Sequence, residues 1–295
     1  LRKHKTSIVR HLNDYRNNQK ITSDNGGSES HLNEAQTKLT VSHLTEITYF
    51  NMSDICEYIN TTFNVKYSIS GLQKWLHRNG FSYKQPKGVP HKFDQDKQYA
   101  FIEEYNEFKA TSVTEGEPIL FMDACHPTQA TKVSCGWIRT GVDKPIETTG
   151  SRTRLNIVGA IRLGHLQDTI TSQYATVNGE SIIDFFKLIK KQYSTDKPIH
   201  LILDGAGYHR SEVVKETAKE LGIKLHYLPP YSPNLNPIER LWKVMNEHAR
   251  NNKYFATAKA FRQSINEFFD DTLPEIGHAL TSRINDNFQT LISAS

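Results

Sequence analysis

The stretch Leu228–Lys243, LPPYSPNLNPIERLWK, places four prolines and two asparagines within ten residues, directly ahead of a predicted helix. Because proline fixes φ, the backbone has little freedom just before Glu239. One interpretation is a helix start, with Asn236 as N-cap, Pro237 as first helical residue and Glu239 at the third position, as in a capping box. The alternative is a metal ligand, which gains from a backbone that is fixed in advance. The other carboxylates of the chain decide between the two.

Two aspartates follow short apolar runs: Asp123 comes directly after PILFM, and Asp204 comes directly after HLIL. Acids at the ends of neighbouring buried strands meet at the sheet edge where α/β folds bind ligands. Two such anions repel each other unless a cation bridges them, and oxygen ligands suit Mg²⁺ or Mn²⁺. Each aspartate could instead cap the turn that follows it. Glu239, with 34 residues between it and Asp204, weakens that alternative.

The surrounding pattern predicts an α/β fold. Antiparallel strands come first, and strands that alternate with amphipathic helices follow, which is typical of a mixed sheet with helices on both faces. The predicted strands are 118–122, 134–140, 156–163, 169–177, 200–203 and 224–228; the predicted helices are 181–193, capped by Ser181, and 211–221.

Two short amphipathic helices joined by a tight turn predict a helix-turn-helix ahead of this sheet. Ser53 is the expected cap of the first helix, and Ser68 or Ser70 that of the second, which Asn79-Gly80 ends. No acidic residue occurs from 58 to 93, which supports a DNA-binding face, although a solvated helical hairpin with a positive face would show the same pattern. The predicted DNA contacts here are Lys66, Gln73, Lys74, His77, Arg78, Lys84 and Lys87, with 82–92 as a basic arm along phosphates.

Four regions are predicted along the chain. Residues 1–30 form a partial first helix-turn-helix and a linker, and 31–93 form the helix-turn-helix domain. Residues 94–112 form a charged connecting helix, and 113–295 form the α/β domain. Since the chain lacks an initiator Met, we expect it to be truncated or processed.

Composition excludes several classes of protein. The 295 residues are 37% hydrophobic and 23% charged with a net charge of +4, which is globular and compatible with nucleic acid. Three irregularly spaced cysteines argue for a reducing compartment and against a disulfide scaffold or zinc site. No apolar run approaches the ~20 residues of a membrane span, and the first residues lack a signal core. We therefore expect a cytoplasmic protein without a membrane partner.

The segments LDGAGYH and LPPYSPNLNPIERLWK, with their spacing, resemble those of the mariner-type DDE transposases, in particular the bacterial insertion-sequence branch. The resemblance runs from about residue 30 to beyond 270. It implies tandem helix-turn-helix units ahead of a ribonuclease H-like catalytic domain. It also implies that the catalytic, metal-binding triad is Asp123, Asp204 and Glu239.

The activity that this resemblance implies is cleavage of transposon ends and joining of the freed 3′-OH to target DNA, commonly at TA. Two Mg²⁺ or Mn²⁺ ions per active site would serve an in-line displacement. The partner would be double-stranded DNA at inverted repeats and at the target, and synapsis of two ends implies a homodimer. The location would be the bacterial cytoplasm, at the nucleoid.

Several residues keep two interpretations. His209 and His126 either support the metal site or satisfy local turns, and Arg152 and Arg154 either contact phosphates or are solvated. Trp137 and Trp242 are predicted to lie in the core, and many members of the resembled family carry Asn where this chain has Gly205. Two other functions stay open: a catalytically inactive DNA-binding protein derived from a transposase, and a ribonuclease H-like nuclease or resolvase without strand transfer.

Overall fold

The computed structural model describes residues 5–19, 30–86, 88, 90 and 92–290. The chain divides into an N-terminal unit, Leu1–Lys87, and a C-terminal unit, Gly88–Ser295. The predicted linker, apart from Ser30, and Lys87 of the predicted basic arm lie outside the described residues. The four domain limits taken from the sequence stay predictions.

The N-terminal unit contains the two helices and the turn of the predicted helix-turn-helix. Asn64 in the left-handed conformation ends the first of them, and the Ser68 side chain accepts the Gly71 amide at the start of the second, as expected of one of the two candidate serines. The first helix is capped at Asn51, so the prediction of Ser53 as its cap is wrong. The buried core of the N-terminal unit consists of Leu32, Ile55, Ile59, Leu72 and Trp75. The helices are α1 (Lys5–Asn18), α2 (Glu34–Glu46), α3 (Met52–Phe63) and α4 (Ile69–Arg78).

The C-terminal unit is built on a five-stranded mixed sheet of order β3-β2-β1-β4-β5. β1 pairs antiparallel with β2 and parallel with β4, β2 pairs antiparallel with β3, and β4 pairs parallel with β5. The predicted mixed sheet is confirmed. The strands are β1 (Ile119–Cys125), β2 (Ile157–Ile161), β3 (Ile170–Gln173), β4 (Ile199–Leu203) and β5 (Ile223–Tyr227).

Helices cover both faces of this sheet. One face packs on α6 and α7 through residues such as Phe185 and Val214, and the other packs on α5, α8 and α9 through residues such as Tyr105 and Leu241. Asn178, not Ser181, caps α6, because Ser181 occupies the third position of the capping box. The helices are α5 (Gln95–Glu115), α6 (Gly179–Gln192), α7 (Glu212–Glu220), α8 (Ile238–Ala249), α9 (Ala258–Glu267) and α10 (Leu273–Ile276).

The predicted strand 134–140 is wrong. The segment, which the structure describes throughout, pairs with no strand; its backbone instead bonds the Asn252 side chain at Ser134 and closes a turn from Val142 to Arg139. Without a neighbouring strand its apolar residues find no cover, and Trp137 is 106% exposed, so its predicted place in the core is also wrong. Alternating apolar residues form a strand only where a partner edge is within reach.

A buried polar cluster lies beneath α5. His200 Nδ1 is 2.9 Å from His226 Nε2, and His200 Nε2 is 2.7 Å from Glu117 Oε2. The Phe108 ring stacks on both imidazoles, at 4.2 Å from His226 and 5.2 Å from His200. Burial, assisted by the nearby His200 and Lys224, lowers the pKa of His226 to about 4. The folded protein therefore holds His226 neutral where the unfolded chain would protonate it.

We expect acid to destabilise the C-terminal unit through His226. Because its folded pKa lies below the ordinary value of 6.5, its contribution is complete above pH 6.5 and is lost as the pH falls toward 4. The loss amounts to about 2 kcal/mol, allowing for partial exposure to solvent. His226→Gln retains hydrogen-bonding capacity but does not titrate, so urea unfolding at several pH values should show a shallower decline. The exposed His278→Gln is the control; an unchanged decline in His226→Gln would contradict the assignment.

Candidate active site

The structure brings the three predicted carboxylates to one cavity. Asp204 follows the end of β4, and Glu239 lies in the first turn of α8. Asp123 lies within β1, two residues before its end, and not beyond the strand as the sequence predicted. Since β1 and β4 are parallel neighbours, their acids reach the same edge of the sheet. All three line a cavity of about 400 Å³.

The charges of these groups act on one another. Burial, followed by the negative charge of Glu239, raises the pKa of Asp123 to about 7. Burial also raises the pKa of Glu239, which Asp204 raises further and Lys243 opposes. A hydrogen bond from His209 holds the pKa of the half-exposed Asp204 below its ordinary value. Three acidic side chains thus lie at one cavity, and only Asp204 has its pKa held below the ordinary value, by the hydrogen bond from His209.

The donor set fits a hard divalent cation in its chemistry. Three carboxylates offer only oxygen ligands, and their repulsion falls when a cation lies between them. Within the described ranges, however, no three His, Cys, Asp or Glu side chains are close enough to share an ion. Binding one would therefore draw these carboxylates closer together than they lie.

The proline-rich stretch is anchored to β1 rather than closed as a capping box. The side-chain amide of Asn236 donates to the Met122 carbonyl at 3.1 Å, and the backbone N–H of Asn236 donates to the Pro233 carbonyl. Helix α8 follows Pro237 with no side-chain cap, so Asn236 is not the N-cap. Glu239 is left facing the cavity with both aspartates. The geometry favours the second interpretation of this stretch.

Trp242 lies in the core as predicted, but it also contacts the site. Its indole Nε1 donates to Asp123 Oδ2 at 2.9 Å. The ring packs on Gly159, which pairs with Asp123 across β1 and β2; a Cβ at 159 would lie 2.5 Å from Cη2 of the indole. Only indirect signals of this contact are present in the sequence: a glycine inside a predicted strand and a tryptophan three residues after Glu239.

The two candidate histidines differ. His209 is buried, and its Nδ1 donates to Asp204 Oδ1 at 2.7 Å, so it orients that carboxylate. His126 is exposed, and its Nδ1 lies 2.9 Å from the Asn156 side-chain oxygen rather than at Asp123. Asn156 in turn donates to the carbonyls of Tyr174 and Ala175, which gives His126 a place in a loop network and not at the cavity.

The predicted DNA contacts are surface residues wherever the structure describes them. On α4 the four candidates lie on the face opposite buried Leu72 and Trp75; they are Gln73, Lys74, His77 and Arg78. Their roles stay predictions, since exposure alone does not distinguish a DNA contact from a solvated face. The exposed candidates are Lys66, Gln73, Lys74, His77, Arg78, Lys84, Arg152 and Arg154.

Two family models match the chain. Residues 118–262 match the DDE superfamily endonuclease family, and residues 46–105 match a winged helix-turn helix, whose winged character the sequence pattern did not predict.

Within the described parts of the chain, every helix is too short or too polar to span a bilayer.

Curated relatives are bacterial. The chain is 24% identical over 228 residues to the "Insertion element IS630 uncharacterized 39 kDa protein" of Shigella sonnei, covering 73% of this chain and 62% of that protein. It is 41% identical over 64 residues to the protein y4pE/y4sA of Sinorhizobium fredii, covering 21% of this chain and 45% of that one. The chain therefore spans less than two thirds of the length of either relative.

Among solved structures, the Mos1 strand transfer complex matches with a TM-score of 0.59 at 15% identity, covering 96% of this chain and 84% of that chain. The Mos1 mariner paired end complex with Mn matches with a TM-score of 0.58 at 16% identity, covering 98% and 90%. At these identities the likeness concerns the fold, and the expected ribonuclease H-like fold is confirmed.

We expect Gly159→Ala to destabilise the protein by about 1–3 kcal/mol, because the new methyl group overlaps the indole of Trp242 in a packed core. Urea unfolding followed by tryptophan fluorescence measures this change. Gly150→Ala is the matched control, since its Cβ would meet no described atom within 4 Å. Equal midpoints for the two variants would show that Trp242 is not held against Gly159.

Proposed function

We propose that the chain is a metal-dependent DNA transposase of the IS630/mariner type, a proposal supported by the match of residues 118–262 to the DDE superfamily endonuclease family and by the similarity to an IS630 element protein. It would cut transposon ends and join the 3′-OH to target DNA through Asp123, Asp204 and Glu239. The main observation in support of the proposal is that these three acids, which come from three separate segments of the chain, line one cavity. A helix-turn-helix with an exposed polar face supports DNA as the substrate.

Asp123, Asp204 and Glu239 would hold the cations, two Mg²⁺ or Mn²⁺ ions per active site. When bound, such ions supply Lewis-acid activation of an attacking oxygen and stabilisation of a leaving oxygen. Hard carboxylate ligands remain compatible with substrate phosphate in the same coordination shell.

The remaining residues of the site would orient the ligands. Trp242 fixes one oxygen of Asp123, and His209 fixes one oxygen of Asp204. Asn236 holds the proline-rich turn against β1, which sets where α8 begins and where Glu239 points. One oxygen of each aspartate and the start of α8 are thereby oriented before the substrate arrives, and bound cations would draw the three carboxylates together.

The partners in this proposal are double-stranded DNA at the transposon inverted repeats and at the target, with TA as the target dinucleotide. Two copies of the chain would hold two ends together as a homodimer. The bacterial origin of the relatives supports action on the nucleoid within the cytoplasm.

We expect the purified chain to cut a plasmid that carries the DNA flanking both sides of its gene when Mg²⁺ or Mn²⁺ is present. Asp204→Asn keeps the shape and an oxygen for His209 but removes the charge, so cleavage should fall by about 10³-fold or more while DNA binding is retained. The assay is gel analysis of nicked and joined products.

Asp196→Asn, at an exposed position, is the matched control and should cleave normally. Cleavage by Asp204→Asn would remove Asp204 from the site. Binding of the flanking DNA with no cleavage by the wild-type chain would favour the inactive DNA-binding protein. Cleavage with no joined product would favour a nuclease or resolvase.

Mn²⁺ should bind weakly to the protein alone and more tightly with DNA, because the carboxylates repel one another and phosphate oxygens complete the coordination shell. We expect isothermal titration with and without a duplex from the flanking DNA to show a gain of about tenfold or more, equivalent to about 1.4 kcal/mol. Asp204→Asn should lose this gain. Equal affinities in both titrations would contradict a site shared by metal and DNA.

A further inference from the structure

One cationic side chain, Arg210, lines the cavity together with the three carboxylates. Its guanidinium lies against the backbone of Gly205: a Cβ at 205 would come within 2.5 Å of Nη2 and 3.1 Å of Cζ. The guanidinium also lies over the ring of Tyr227, with Cζ 5.2 Å from the ring centroid. A cation–π contact of this kind orients the side chain.

The acids near Arg210 in sequence have other partners. Glu212, the nearest acid in sequence, pairs with Lys215, and Asp204 already accepts a short hydrogen bond from His209. Among the described residues Arg210 forms no ion pair within 4.0 Å, although its positive charge contributes to lowering the pKa of Asp204. Arg210 is an exposed residue that lines the cavity, and its guanidinium carries five N–H donors.

Three carboxylates alone would repel an entering phosphodiester. A planar guanidinium binds two phosphate oxygens at once and supplies positive charge at the position where the substrate enters. We propose that Arg210 binds a DNA phosphate at the carboxylate cavity, and that Gly205 leaves the space in which its guanidinium lies. The inference rests on the proposed function in taking DNA as the substrate.

A substitution at Gly205 can distinguish phosphate binding by Arg210 from a purely structural role of Arg210. Gly205 does not adopt a left-handed φ, so alanine fits its backbone, and the atoms that a new Cβ would meet belong to the flexible end of Arg210. Gly205→Ala should therefore move the guanidinium with little effect on folding. Gly207→Ala, in the same loop, is the matched control, because its Cβ would meet no described atom within 4 Å.

The first measurement is binding of a short fluorescent duplex of arbitrary sequence to the full chain, without divalent metal, over a series of KCl concentrations. Arg210→Gln should reduce the slope of log K against log[KCl] by about 0.9, the value for one phosphate contact, with an unchanged melting temperature. Arg210→Lys should restore the slope. A slope equal to that of the wild type in Arg210→Gln would overturn the proposal.

The second measurement is a double-mutant cycle in the same assay. Gly205→Ala should weaken duplex binding in the wild-type background and have no effect in Arg210→Gln, whereas Gly207→Ala should have none in either. Equal losses in both backgrounds would refute the link between Gly205 and Arg210.

Cleavage of the flanking DNA separates this proposal from the proposed function. Where the wild-type chain cleaves, Arg210→Gln should lower kcat/KM by about tenfold, mainly through KM. If the wild-type chain never cleaves but the slope still falls in Arg210→Gln, the transposase proposal fails and the phosphate contact stands.

Discussion

Repulsion among three acids at one cavity is the constraint on which the site depends. A buried carboxylate is unfavourable unless donors or cations compensate it, and the protein compensates each of the three differently. Trp242 donates to Asp123, His209 donates to Asp204, and the charge of Lys243 acts on Glu239. None of these contacts removes the repulsion, which a cation bound at the cavity would reduce.

Holding such groups together requires a stiff frame. The proline-rich turn is tied to β1 through Asn236 and to α5 through Gln98, which contacts both Ser232 and Asn234. Tyr231 in this turn has a left-handed φ of 57°, a conformation that surrounding contacts must hold in place. The bonds made on both sides of the turn, together with four prolines, explain how α8 can begin at a fixed point beside two like charges.

Local patterns predicted much of this arrangement. Apolar runs that end at Asp123 and Asp204 indicated two buried strands, but whether these strands are neighbours was left open by the sequence and is answered by the sheet. Contacts between distant residues were not predictable: Trp242 and Asp123 are 119 residues apart, and Asn236 and Met122 are 114 apart. The wrong strand at 134–140 has the same origin, since local alternation cannot reveal whether a partner edge exists.

The two aspartates also differ in how far along the chain their hydrogen-bond donors lie. Asp204 and His209 are five residues apart in one loop, so their hydrogen bond needs little of the fold. Asp123 depends on β2, α8 and the whole sheet for its burial and its donor, and its pKa of about 7 is a property of the complete fold. Burial and the negative charge of Glu239 thus oppose ionisation of Asp123. In the proposed metal site, a cation beside Asp123 would oppose both effects and favour the ionised carboxylate.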